Sequence, residues 1–246
     1  MTFSTVLFEV EEQVAWVTLN RPEVLNAYSV QMRDDLAEVF SAVRDDDEIR
    51  VLVLRGAGRA FCAGADLTEF GTAPSPTAAR RIRFARDVWS LLSGLEIPTI
   101  AALHGHVIGS GLEMALFCDL RIAAAGTQFG MPEVQRGLIP AAGGTQTLPR
   151  VVGQGRALDL LLTGRRFDAF AALRIGLVSE VVPGDNLGSR AAALAQQLSG
   201  LPANAVQAVR RAVREGADLP LEAGLRLEAR LAATLRLDDH PAENRA

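Results

Sequence analysis

The sequence contains no lysine: all 25 of its Lys+Arg residues are arginine. That absence excludes lysine Schiff-base chemistry, and with it PLP enzymes and lysine-dependent aldolases. It also excludes the P-loop of nucleoside triphosphatases, whose lysine reaches the phosphates. An anionic ligand must be held by arginine, by backbone N–H groups or by helix N-termini. Cysteine is nearly as scarce. Cys62 and Cys118 cannot build a disulfide framework and no C-x-x-C occurs, so a reduced, cytoplasmic setting is expected. Three histidines are too few for a metal centre; His104 and His106 are spaced so that they could share a strand face, but no third ligand is evident, and no metal is expected. No apolar run approaches the ~18 residues of a membrane span. The N-terminus lacks a basic segment followed by an apolar one, so neither a signal peptide nor a membrane partner is expected. A formal net charge of -4 argues against nucleic-acid partners. Arginines cluster only at Arg80, Arg81, Arg83 and Arg86, which read as a solvated helix face.

What is present is a chain of 246 residues, 49% hydrophobic and 22% charged, enough to bury one large core. Its first two-thirds alternates strand and helix patterns. Strands are expected at Val14–Leu19, Val51–Leu54, Thr99–Leu103, Leu120–Ala124 and Val178–Val182. Ser29 is placed to cap a helix whose apolar face is Met32, Leu36, Val39, Phe40 and Val43. Ile82, Ala85, Val88, Trp89 and Leu92 form a second helical stripe. This alternation predicts an α/β fold with mostly parallel pairing. From about Asp185 the pattern is wholly helical, with Val206, Val209, Arg210 and Val213 at helical spacing. The organisation read from this is an α/β core at 1–184 and a helical C-terminal extension at 185–246, with a soft loop at Gly71–Thr77.

Three segments carry the chemistry. In GAGRAFCAGADLTEF, at 56–70, a buried strand enters a glycine-spaced loop. Asp66 there is spaced to cap a helix, with Glu69 reaching back to it. In HGHVIGSGLEMALFCD, at 104–119, glycines precede a helix starting near Ser110, and Glu113 falls on its first turn. In FGMPEVQRGLIPAAGGTQT, at 129–147, Pro132 opens a helix and Glu133 follows among Phe129, Met131, Val134 and Leu138. A carboxyl in such apolar surroundings suits proton transfer near neutral pH. Each segment alone also has a purely structural reading, as a strand–turn–helix connection or a carboxylate at a helix dipole. Two other enzyme classes fail on single residues. A serine-hydrolase elbow needs glycine where Ile108 stands. A dinucleotide fingerprint needs glycine where Met114 stands.

Taken together, these motifs resemble the enoyl-CoA hydratase/isomerase (crotonase) family. The stretches are LNRPEVLNAYS at 19–29, AFCAGADL at 60–67, GHVIGSGLEMALFCDLRIAA at 105–124, FGMPEVQRGLIPAAGGTQTLPRVVG at 129–153 and LLTGRRFDAFAALRIGLVSEVVP at 161–183. The resemblance implies a spiral of ββα units with a helical C-terminal trimerisation region, assembled as a homotrimer or homohexamer. It implies an acyl-CoA thioester substrate and no separate cofactor, coenzyme A being part of the substrate. By motif position the backbone N–H groups of Ala65 and Ser110 form the oxyanion hole. Glu113 and Glu133 are the catalytic pair of a hydratase, adding water syn across a 2-enoyl-CoA. Glu133 donates a proton to C2, and Glu113 orients and activates the water. Arg21, Leu25, Ala27, Ala63, Gly64, Asp66, Leu67 and Gly109 fall at positions that bind substrate and CoA. Phe70, Phe84, Trp89, Val134 and Leu138 are expected around the acyl chain. Isomerases of the family keep the second acid and lack the first. An isomerase or another enolate reaction is the alternative, and a non-catalytic binding or assembly protein is the other. Relatives place a lysine near position 24 and a basic, aromatic segment at the C-terminus. This sequence has Val24 and ends in Asp238–Ala246, so the expectation is either weaker CoA affinity or phosphates held by arginine, backbone N–H groups or a neighbouring subunit, with Arg21 the first candidate.

Overall fold

The computed structural model describes residues 3–69, 72–75, 77–78, 81–82 and 85–235. Phe70, Phe84, Arg80, Arg83 and the tail from residue 236 lie outside the described residues. The strands are β1 (Val6–Glu11), β2 (Val14–Leu19), β3 (Val51–Gly56), β4 (Thr99–Leu103), β5 (His106–Ile108), β6 (Leu120–Ala124), β7 (Gln128–Gly130), β8 (Phe167–Asp168) and β9 (Glu180–Val182). The helices are α1 (Val30–Asp45), α2 (Val88–Gly94), α3 (Ser110–Phe117), α4 (Gly144–Val152), α5 (Gln154–Thr163), α6 (Ala169–Arg174), α7 (Leu187–Ser199), α8 (Ala203–Gly216) and α9 (Leu221–Thr234).

A larger sheet runs β1-β2-β3-β4-β6-β9, antiparallel between β1 and β2 and parallel from β2 onward. Its central strands VAWVTL, VLVL and TIAAL are buried along their length. Parallel strands covered on both faces read as continuous apolar runs for this reason. Alternation then sorts them. Val17, Leu19, Leu52, Leu54, Ala101 and Leu103 pack on α1 and its neighbours. Val14, Trp16, Val51, Val53, Ile100 and Ala102 pack on Leu187, Ala191 and Ala195 of α7. The helical stretch from residue 185 therefore begins as the second cover of this sheet. A smaller sheet, β5-β7-β8, stands beside the larger one and carries the functional loops.

Ser29 caps α1, its Oγ accepting from Met32 N at 3.2 Å. The 82–92 stripe is not one helix. Asp87 accepts from Ser90 N and starts α2 at Val88, while Ile82 is 41% exposed. Arg86 of the arginine cluster pairs with Glu38 and Asp34 on α1. Asp119, at the end of α3, anchors α8. Its carboxylate accepts from Thr99 N and Oγ1, each at 2.9 Å, and pairs with Arg210 and Arg214. Arg214 also donates to Ser93 O and Phe117 O, at the C-terminal ends of α2 and α3. Cations there complement the helix dipoles. Among the described residues no helix is long and apolar enough to cross a membrane.

Candidate active site

Two backbone segments and one short helix converge at the C-terminal side of β3 and β5. The first segment, residues 60–66, is clasped on both edges. On one side Cys62 N donates to His106 O, and Ile108 N donates to Cys62 O, each at 3.0 Å. On the other, Ala63 N donates to Leu25 O, Tyr28 N to Gly64 O and Asp66 N to Tyr28 O. Tyr28 and Ala65 form a parallel bridge in which the groups flanking Ala65 make the bonds. The N–H of Ala65 itself therefore faces the opposite side, away from Tyr28.

The second segment is the β5–α3 turn. Gly109 caps α3 at φ 53°, ψ -122°, a conformation open to glycine. A Cβ on it would stand 3.8 Å from Gly64 Cα, so the two loops touch backbone to backbone. Gly111 is held as closely: a Cβ there would meet Cys62 O at 2.4 Å. Ser110 is the first residue of α3, and its N–H has no intrahelical acceptor. It points with the positive end of the helix dipole.

Glu113 sits one turn along α3 and is 1% exposed. Its Oε1 accepts from Ala142 N at 2.9 Å and Gly144 N at 3.0 Å. Gly144 opens α4, so two backbone donors and a helix N-terminus hold this carboxylate in place. Glu133 opens a 3-10 helix, Glu133–Arg136, after the cap residue Pro132. A Cβ on Gly109 would lie 2.8 Å from its Oε1. The Glu133 carboxylate thus rests on the turn that presents the Ser110 N–H.

A cavity of about 220 Å³ joins these groups. Ala63, Gly64, Ala65, Leu67, Gly109, Ser110, Glu113, Glu133 and Leu138 all line it. The other expected site residues lie elsewhere. Arg21 donates to Ala27 O at 2.7 Å and pairs with Asp66 at 2.9 Å. With Leu25, they brace the loop from behind. The Thr68 hydroxyl, and then Arg21, hold the Asp66 carboxyl below its usual range. Trp89 packs between Tyr28 and Phe117, at ring centroid distances of 5.3 and 6.0 Å, and Val134 is 41% exposed beside the cavity. Asp66 does not form the expected capping box. Its N–H is taken by Tyr28 O, so Glu69 turns to α1 and accepts from Val30 N. A larger cavity of about 270 Å³ lies between the end of α1, residues 94–98 and α8, and holds neither glutamate.

Two contributors are absent from the motif reading. Arg136 lines the cavity three residues after Glu133. Asn26, fully buried at φ 56°, ties three segments together. Its Oδ1 accepts from Arg21 N, and its Nδ2 donates to Ala57 O and Ala60 O. Asn26→Ala leaves one donor and two acceptors without partners, Ala60 O buried and the Arg21 N–H and Ala57 O part-buried, at up to about 1–3 kcal/mol each. Urea unfolding is expected to show a loss of roughly 3 kcal/mol or more, and a loss under about 1 kcal/mol contradicts this bracing role.

The sequence matches the enoyl-CoA hydratase/isomerase family over residues 9–243. The chain belongs to that family. A probable enoyl-CoA hydratase of Mycobacterium bovis is 40% identical over 231 residues, 94% of this chain and 89% of that protein. The (E)-benzylidenesuccinyl-CoA hydratase of Thauera aromatica is 42% identical over 223 residues, covering 89% and 86%. Among solved structures, an enoyl-CoA hydratase of Bacillus anthracis superposes with a TM-score of 0.90 at 34% identity, covering 94% and 91%. The crotonase fold implied by the motifs is the fold of this family member.

Proposed function

We propose that the protein is an enoyl-CoA hydratase, adding water syn across the double bond of a 2-enoyl-CoA to give a 3-hydroxyacyl-CoA. The observation that carries this reading is the lining of one cavity by two carboxylates, Glu113 and Glu133, beside the Ala65 and Ser110 N–H groups. The thioester oxygen accepts from both N–H groups. They bind it more tightly as negative charge develops on it, which lowers the barrier rather than only the ground state. Glu113 takes a proton from water as its oxygen bonds to C3. The C2–C3 π electrons move toward the thioester, and Glu133 delivers its proton to C2. Proton exchange between the carboxyls then restores the starting state. Two interacting carboxyls share their titration, so the opposite roles belong to the pair.

An isomerase needs only one acid shuttling a proton, and the additional carboxylate of Glu113, buried in the cavity wall, favours hydration. Crotonyl-CoA is expected to lose its conjugated-thioester absorbance on mixing with the protein. A gain from a 3-enoyl-CoA, with no loss from crotonyl-CoA, contradicts the hydratase and favours the isomerase. Silence toward both substrates favours a binding or assembly protein.

We also infer a homotrimer or homohexamer. Val209 and Val213 on α8, and Leu221 and Leu225 on α9, are between 54% and 79% exposed. Contiguous apolar exposure of this kind marks a protein interface. Light scattering is expected to give three or six chains, with Val213→Asp shifting the mass downward. A wild-type monomer contradicts the assignment.

A further inference from the structure

Resting on the hydratase reading above, we propose that Arg136 recognises an anion at the acyl end of the cavity, so that the preferred substrate is a 2-enoyl-CoA whose acyl chain ends in a second carboxylate. Arg136 is the only cation among the described residues that line the cavity. It ends the 3-10 helix that Glu133 opens. Residues three apart in such a helix eclipse, so both share one face, roughly 6 Å apart along the axis. The helix cannot easily rotate away. Gln135 donates through Nε2 to Thr163 O and Gly164 O, each at 3.2 Å, and so fixes the other face to the end of α5.

Many other arginines of this chain already have partners: Arg21 pairs with Asp66, Arg165 with Asp159, Arg190 with Glu180, and Arg210 and Arg214 with Asp119. The exposed Arg136 side chain is in none of the ion pairs formed among the described residues. Around it the wall is apolar, with Leu138, Ile139 and Pro140. With the thioester oxygen on the Ala65 and Ser110 N–H groups and the reacting carbons at Glu133, a chain continuing along this face reaches the guanidinium. A guanidinium fork matches a carboxylate in a bidentate pair, which a simple alkyl chain end cannot supply.

The test compares two thioesters of equal length, 2-hexenoyl-CoA and 2-hexenedioyl-CoA, with wild type, Arg136→Leu and Arg136→Lys. For wild type the ratio of kcat/KM, dicarboxylic over monocarboxylic, is expected at roughly 10 to 100. Arg136→Leu should collapse the ratio to about one or below, with Arg136→Lys between. Calorimetry with the two saturated six-carbon thioesters reads the same preference without turnover. A binding preference lost in Arg136→Leu, with no hydration of either substrate, supports the arginine's role and overturns only the hydratase reading. Hydration of 2-hexenoyl-CoA with a ratio at or below one overturns the arginine's role alone. So does an equal loss of affinity for free CoA in Arg136→Leu, which would place the guanidinium on the CoA phosphates.

Discussion

Glu133→Gln is expected to lower kcat for crotonyl-CoA hydration by about 10²–10⁴-fold, the span of a positioned general acid or base. KM should change little, because the thioester is held mainly by backbone N–H groups. Glu113→Gln is expected to fall in the same range without unfolding. A glutamine Oε1 still accepts from Ala142 N and Gly144 N, so the packing of α3 on α4 survives. The double variant is the sharper measurement. Two carboxyls acting on one water form a unit, so removing both should cost little more than removing the worse one. Fully multiplicative losses would show that the two glutamates act independently.

Ser110→Pro is the second large effect. The first helical position tolerates proline, since its N–H has no intrahelical partner and its φ suits the helix. The substitution therefore deletes one hydrogen-bond donor while leaving α3 able to form. Loss of a single oxyanion donor costs about 10²–10³ in kcat, roughly 3–4 kcal/mol. The expected result is such a fall with a thermal midpoint close to wild type. A folded variant with unchanged kcat would remove Ser110 from the oxyanion hole. Ser110→Ala serves as the control: it keeps the N–H and loses only the hydroxyl, so its kcat should stay near wild type.

Much of the architecture was legible in the residue pattern because it is periodic. The buried runs of β2, β3 and β4 and the Met32–Val43 stripe each repeat one face often enough to announce themselves. The start of α3 at Ser110, and hence the place of Glu113 on its first turn, followed from local glycine chemistry. Strands of two or three residues, such as β5, β7 and β8, are too short to show any period, yet they hold loops that line the cavity. Glu69 was misread because an Asp-x-x-Glu spacing cannot reveal that the Asp66 N–H belongs to Tyr28 O. The Ile82–Leu92 stripe was misread because Asp87 caps a shorter helix from within it. Asn26 left no local trace, since its partners come from residues 21, 57 and 60. The convergence of Glu113 and Glu133, twenty positions apart, came from family resemblance rather than from spacing. Arg136 needed the opposite step. Only when Glu133 proved to open a 3-10 helix did its neighbour three residues on face the same cavity.

The most direct measurement is the mass of the product formed from crotonyl-CoA in heavy-oxygen water. Hydration predicts a thioester heavier by one water, carrying the heavy oxygen at C3, formed by wild type and suppressed in Glu113→Gln and Glu133→Gln. A product of unchanged mass, or none, would contradict the hydratase account.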